Sequence, residues 1–127
     1  MDYHFTIVPK PSFLHAIVSG ENSRENVERY LSDLVHACTS HQCFRVLIEE
    51  QLVGPRLGFF DVFSIVTQGS LKVLGSFKAI AYVDRNAEGA LMHFAETLAR
   101  NRGLPLSVFP TITDAEAWLQ QNAPPEM

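Results

Sequence analysis

Three carboxylates follow apolar stretches that have the character of buried strands. Glu49 and Glu50 come directly after the run Val46–Ile48, and Asp84 comes directly after Phe77–Val83. Paired carboxylates perform general acid–base chemistry when both side chains address one atom. Consecutive residues of a strand point to opposite faces, so Glu49 and Glu50 are not predicted to form such a dyad.

Polar residues continue into the loops that follow these strands. Open α/β sheets bind ligands at the ends of parallel strands, because loops and helix N-termini converge there. The sequence therefore predicts a binding rim made by Glu49, Glu50, Arg56, Asp84, Arg85 and Asn86. In the structural alternative, Asp84 and Asn86 cap helices, and the two glutamates are solvated strand-end charges with Arg56 as their counter-ion.

A phenylalanine-rich segment follows the first of these loops. Apolar residues between Leu57 and Val66 cover more than half of a helical circumference, which predicts a helix over 58–68. Packing on a sheet needs only part of that surface. The surplus could line a pocket for an apolar ligand, form a partner or self-association patch, or lie beneath a neighbouring helix. The residues concerned are Phe59, Phe60 and Phe63.

No metal site or cofactor is predicted. The side chains with metal-ligating chemistry nearest to one another are His36, Cys38, His41 and Cys43. Positions 36 and 38 lie roughly 200° apart on a helix, and the spacing matches no Cys-x-x-Cys site. Cys38 is better explained as a core residue. The sequence also has no glycine-rich loop of either common phosphate-binding type.

No catalytic constellation is predicted either. Ser64, Asp61 and His93 could be drawn as a triad, but no Gly-x-Ser-x-Gly turn accompanies the serine. His93 is therefore interpreted as a surface or packing residue. An enzyme would need at least two of Glu49, Asp84 and His93 to converge in one cleft, so the chain is predicted not to be an enzyme.

Composition narrows the classes of function. The 127 residues suit one domain, predicted over 1–121 with a tail over 122–127. A net charge of −4 with no basic run argues against a nucleic-acid partner. No apolar run approaches the roughly 20 residues of a membrane span, and the acidic N-terminus does not resemble a secretory signal. A cytoplasmic location is therefore expected, with the two cysteines as free thiols.

The elements that must position these residues alternate between strands and amphipathic helices. Strands are predicted over 3–8, 13–18, 46–48, 77–83 and 104–109. Helices are predicted from a cap at Asn22 or Ser23 to about Ser40, over 58–68, from about Asn86 to Arg100, and from a cap at Thr113 or Asp114. The last helix is expected to bury Ala117, Trp118 and Leu119. The order β-β-α-β-α-β-α-β-α predicts a mixed five-stranded sheet with one antiparallel strand.

This arrangement resembles the SpoIIAA-like superfamily over about residues 3 to 120. The superfamily holds the STAS (sulfate transporter and anti-sigma-factor antagonist) domains and, more distantly, the Sec14-type lipid-binding domains. The stretches that carry the resemblance are Val46–Glu50, Leu57-Gly58, Ile80–Asp84, Val108-Phe109 and Asp114–Leu119.

The resemblance implies a regulatory module in which a loop serine or threonine is phosphorylated to break partner binding. Here the matching positions are Val53, Gly54, Pro55 and Arg56, and no hydroxyl residue lies between Ile48 and Ser64. The resulting hypothesis is a non-catalytic cytoplasmic binding module that lacks the phosphoacceptor and has a protein partner, with a homodimer as a further option. The alternative is a carrier of a small apolar or amphipathic, lipid-like ligand, with a membrane surface as one option for where it works.

Overall fold

The strands and helices follow the predicted order. The computed structural model describes residues 3–53, 77–84, 90–103 and 105–121. The strands are β1 (Tyr3–Pro9), β2 (Leu14–Glu21), β3 (Arg45–Val53), β4 (Ala79–Val83) and β5 (Leu106–Phe109). The helices within these residues are α1 (Arg24–His41), α2 (Ala90–Asn101) and α3 (Ile112–Gln121). The helix predicted over 58–68 and the predicted tail lie outside the described residues.

The five strands form one mixed sheet in the order β1-β2-β3-β4-β5. β1 and β2 pair antiparallel, and all later neighbours pair parallel. The short connection between β1 and β2 permits a hairpin, whereas parallel neighbours need long crossovers. The predicted α/β class and its single antiparallel strand are therefore confirmed.

Alternate strand residues build two cores on opposite faces of the sheet. One face, here called the α1 face, packs strand residues such as Val18, Val46 and Ile48 against Tyr30 and Leu34 of α1. The opposite α3 face buries Phe13, Leu47, Ala79, Ala81 and Val83 beneath Ala115 and Leu119. β3 is thus buried on both faces around Val46–Ile48, as its unbroken apolar run predicts. Cys38 lies in the α1-face core, in agreement with its predicted role.

Side-chain hydrogen bonds fix the start of α1. Ser23 is the N-cap, and its side chain accepts a hydrogen bond of 3.1 Å from the Asn26 N–H. The Asn26 side chain is buried and donates to the Glu21 carbonyl at 2.8 Å, which ties the helix to the end of β2. The helix ends at His41, and its C-cap residue Gln42 has a left-handed φ of 53°.

β3 is longer than predicted, which changes the setting of two candidate residues. The strand was expected to end before Glu49, but it continues to Val53. β2 provides the reason, because pairing between these strands runs as far as Glu21 with Val53, whereas pairing with β4 ends at Glu49 with Val83. Glu49 and Glu50 are therefore strand residues rather than the start of a loop.

The last helix begins earlier than predicted, and its predicted buried face is right for Leu119 and Trp118 but wrong for Ala117. The Thr111 hydroxyl accepts a 3.2 Å hydrogen bond from the Asp114 N–H, so the helix begins before the predicted caps. This start turns Ala115 and Leu119 into the core, one helical turn apart, and leaves Ala117 exposed.

A buried arginine, which the sequence analysis did not identify, joins the sheet to α3. Arg45 is only 6% exposed at the start of β3. Its Nε donates to the Ser12 carbonyl at 2.9 Å, and its guanidinium also donates to the Leu119 carbonyl. The charge thereby satisfies backbone acceptors, including one near the C-terminus of a helix, where a cation is favourable.

Candidate functional site

Strand register brings two of the candidate carboxylates together. In the β3–β4 ladder, Ile48 pairs with Tyr82 and Glu49 pairs with Val83. The same register places Glu50 beside Asp84, one residue beyond the last pair. Both side chains lie on the α1 face, like Tyr82, because alternate strand residues share a face. The candidate site is thus the carboxyl end of β4 and the adjoining part of β3.

A short chain of hydrogen bonds holds the Glu50 carboxyl in place. Its Oε1 accepts from the Leu52 N–H at 2.9 Å, and its Oε2 accepts from the Tyr82 hydroxyl at 3.3 Å. The Tyr82 hydroxyl in turn accepts from the Tyr30 hydroxyl of α1, also at 3.3 Å. The rigid sheet and α1 therefore orient both oxygens of this carboxyl group.

Asp84 is more deeply buried than Glu50. It is 3% exposed, while Glu50 is half-buried. Its backbone N–H donates to the Phe109 carbonyl at 3.0 Å, which extends the β4–β5 pairing past the end of β4. The Asp84 carboxyl is near enough for its charge to act on Glu50. A hydrogen bond between two carboxyl groups requires a proton on one of them, since an ionised carboxylate can only accept.

Burial and the neighbouring carboxylate hold a proton on Glu50 near neutral pH. Burial, and after it the charge of Asp84, raise the pKa of Glu50 from 4.5 to about 7, against the lowering effect of the Leu52 N–H. Burial likewise raises the pKa of Tyr82 well above its ordinary value. The site therefore offers both a hydrogen-bond donor and acceptors, and it changes charge around neutral pH.

Glu49 belongs to a different environment on the α3 face. Its Oε1 lies 2.9 Å from His15 Nε2, and the Gln51 side chain donates to its other oxygen. Glu49 and Glu50 therefore address opposite sides of the sheet, as strand alternation predicts. The interpretation of both as solvated strand-end charges is wrong, because each is half-buried and hydrogen-bonded.

The structure brings together only part of the predicted rim. Glu50 and Asp84 meet, Glu49 faces the other side, and His93 is exposed on α2. The enzyme hypothesis required at least two of Glu49, Asp84 and His93 in one cleft, and Glu49 and Asp84 lie on opposite faces of the sheet. The remaining predicted site residues lie outside the described residues: Arg56, Phe59, Phe60, Phe63, Arg85 and Asn86.

Two tyrosines and the carboxyl pairing were missed by the sequence analysis. Tyr30 and Tyr82 were interpreted as core residues, because Tyr30 lies on the apolar face of a predicted helix and Tyr82 in an apolar predicted strand. The available signal was the alignment of Val46–Ile48 with Ile80–Tyr82, which places position 50 beside position 84. In the described parts of the chain, no three His, Cys, Asp or Glu side chains are grouped so as to hold a metal ion.

The fold matches a known architecture. The chain is similar to the crystal structure of an uncharacterized protein from the DUF3478 family with a SpoIIAA-like fold, from Shewanella loihica PV-4. The TM-score is 0.56 at 19% identity, over 92% of this chain and 93% of that one. The SpoIIAA-like fold expected from the resemblance is therefore confirmed. No protein-family profile matches the sequence, and no curated protein matches it. Among the helices in the described ranges, none is long and apolar enough to span a membrane.

Proposed function

We propose that this protein is a non-catalytic, cytoplasmic binding module of the STAS-like type, acting on a protein partner. The observation that carries the proposal is the pairing of Glu50 with Asp84 at the carboxyl end of β4. Ligands of open α/β sheets bind at this end of the strands. The candidate binding surface combines this pair with the residues that follow β3 and β4 in sequence.

The chemistry of the pair favours a partner with a basic side chain. A Lys or Arg side chain placed against the two carboxyl groups stabilises their ionised forms and displaces the proton from Glu50. Binding is then linked to proton release, and it weakens as the pH falls. Such linkage could regulate binding in a domain that lacks the phosphoacceptor hydroxyl between Ile48 and Ser64.

The apolar residues after β3 supply the second part of the proposed surface. Phe59, Phe60 and Phe63 follow the site closely in sequence. Hot spots of protein interfaces are typically rich in aromatic residues that lie close to a few polar groups. The same residues also support the second candidate function, a carrier that encloses a small apolar ligand with Arg56 or Arg85 at the mouth of its pocket.

The test compares partner capture by matched variants. Native protein, Glu50→Gln, Asp84→Asn and Phe59→Asp are immobilised, and retained proteins are identified by mass spectrometry. Glu49→Gln is the control, because Glu49 lies on the opposite face of the sheet. We expect one protein to be retained by the native and control chains and lost from the other three. Its purified form must then bind in solution with an affinity that falls at lower pH.

Two results would contradict the proposal. If all five chains retained the same proteins, the candidate site would have no part in partner binding. Alternatively, native mass spectrometry before and after denaturation could reveal a small molecule that leaves only on denaturation. That result would establish the carrier in place of the partner-binding module.

A further inference from the structure

The two edge strands of the sheet, β1 and β5, differ in how their outward backbone groups are bonded. The edge at β5 is protected. Ile80 and Asp84 donate to the Pro105 and Phe109 carbonyls, so the odd-numbered residues of this segment face β4. The backbone groups of Leu106 and Val108 therefore face outward. Side chains of α2 occupy two of these groups, since Val108 N–H donates to Glu96 at 2.7 Å and Arg100 Nε donates to the Leu106 carbonyl at 3.0 Å.

The opposite edge, at β1, lacks this protection among the described residues. Lys10 N–H donates to the Phe13 carbonyl at 2.9 Å at the hairpin turn, and the register pairs position 8 with 15 and position 6 with 17. Hydrogen-bonded pairs alternate in an antiparallel ladder, so positions 4, 6 and 8 face β2. The N–H and C=O groups of Phe5 and Ile7 consequently face away from the sheet, and no described contact engages them.

The side chains of β1 also lack the usual safeguards of an edge strand. Exposed edges are normally blocked by charged side chains, proline, bulges or a covering element. Residues 3–8 read Tyr-His-Phe-Thr-Ile-Val, without Asp, Glu, Lys, Arg, Gly or Pro. Pro9 stands at an outward position where its missing N–H removes one donor, but it comes only at the end of the strand. This edge is a template for a further strand.

We infer that β1 pairs antiparallel with β1 of a second copy of this chain, about a two-fold axis at Thr6. This register overlaps the strands from Tyr3 to Pro9 along their full length. The outward groups of Phe5 then meet those of Ile7 in the second copy, with two hydrogen bonds in each of two symmetric pairs. The five-stranded sheets of the two copies become one continuous ten-stranded sheet.

Side-chain complementarity identifies a second copy as the occupant. Phe5 faces Ile7 of the second copy, and Thr6 faces Thr6, which are aromatic–β-branched and threonine pairs of the kind that stabilise antiparallel strands. Because residues 3–8 carry no Asp, Glu, Lys or Arg, and the proposed register sets His4 opposite Val8, two chains of net charge −4 meet here without opposing like charges. The edge is thus self-complementary in its hydrogen bonds, its side-chain pairs and its charge, as a two-fold interface requires.

The test uses charge at the symmetry axis. Thr6 is exposed, so Thr6→Lys and Thr6→Asp leave the core of the monomer intact while placing like charges opposite each other in the pair. We expect sedimentation analysis of the full chain to give a dimer for the native protein. Each variant should weaken association by about fivefold or more. A one-to-one mixture of both variants should restore the dimer, because lysine then faces aspartate. Thr97→Lys, on the exposed surface of α2, is the matched control and should remain dimeric.

Amide hydrogen exchange provides the second measurement. In the paired form, the Phe5 and Ile7 amides should be protected increasingly as protein concentration rises, while Thr6 is protected throughout. A native chain that stays monomeric up to about 1 mM would overturn the inference. So would a dimer that survives both charge variants, or a dimer in which the Phe5 and Ile7 amides exchange rapidly.

Discussion

Replacing Glu50 by glutamine should change how the stability of the protein depends on pH. Below pH 4.5, Glu50 is protonated in both the folded and unfolded chain, whereas between pH 4.5 and about 7 only the folded chain holds the proton. The folded state then binds more protons than the unfolded state, so the free energy of unfolding falls as the pH rises. Glutamine cannot ionise, and its amide can donate to Asp84 as the protonated carboxyl does.

The size of the effect follows from the pKa of this side chain. A carboxyl whose pKa rises from 4.5 to about 7 on folding lowers stability by roughly 3 kcal/mol once it is ionised. Glu50 is only half-buried, and solvent screening reduces this to about 2 kcal/mol. The variant should therefore gain about 2 kcal/mol over the native protein between about pH 5 and about pH 8.

Urea unfolding of both proteins, measured at several pH values across this range, gives the difference directly. Ser32→Ala, at an exposed position of α1, is the control because it removes no ionisable group. Its stability difference from the native chain should not change with pH. A constant difference between Glu50→Gln and native protein from about pH 5 to about pH 8 would refute the assigned proton.

Two further substitutions test how the sheet is attached to its helices. In urea unfolding, Arg45→Met should lower the free energy of unfolding by about 2 to 4 kcal/mol, because buried carbonyl groups lose their donors. Arg45→Lys should recover little of this loss. In thermal unfolding, Ser23→Ala should lower stability by about 1 kcal/mol because α1 loses its N-cap, whereas Ser32→Ala, at an exposed position of the same helix, should change it by less than about 0.5 kcal/mol. Equal losses for the two serine variants would contradict the capping role.

The spacing of apolar residues predicted the helices and strands well where it fitted only one type of secondary structure. The apolar spacing of α1 and its Ser23 cap located that helix to within one or two residues. The buried run Val46–Ile48 located β3 and its parallel neighbours. The far end of β3 could not be predicted in the same way, because it depends on how far β2 extends beside it rather than on residues 49–53 themselves.

The candidate site was predicted in composition but not in pairing. Glu50 and Asp84 were both recognised as strand-end residues, yet their contact depends on lateral register, which a single strand does not encode. Tyr82 was also recognised only as part of an apolar strand, because a tyrosine has the same periodicity whether its hydroxyl is solvated or bound to Glu50. Arg45 shows the same effect, since a charge at a strand start does not indicate that two carbonyl groups will surround it.

The contacts of Glu96 and Arg100 with β5 determine how far association can proceed. A sheet that could pair through both edges would accept one neighbour on each side and grow into a fibre. With the Leu106 carbonyl and the Val108 N–H bonded within their own chain, the proposed pairing uses one sheet edge of each molecule, at β1. Joining two such edges leaves neither described edge of the sheet open to a third copy. These two side chains of α2 would thus end growth at a closed pair, and their removal would turn a finite assembly into an open one.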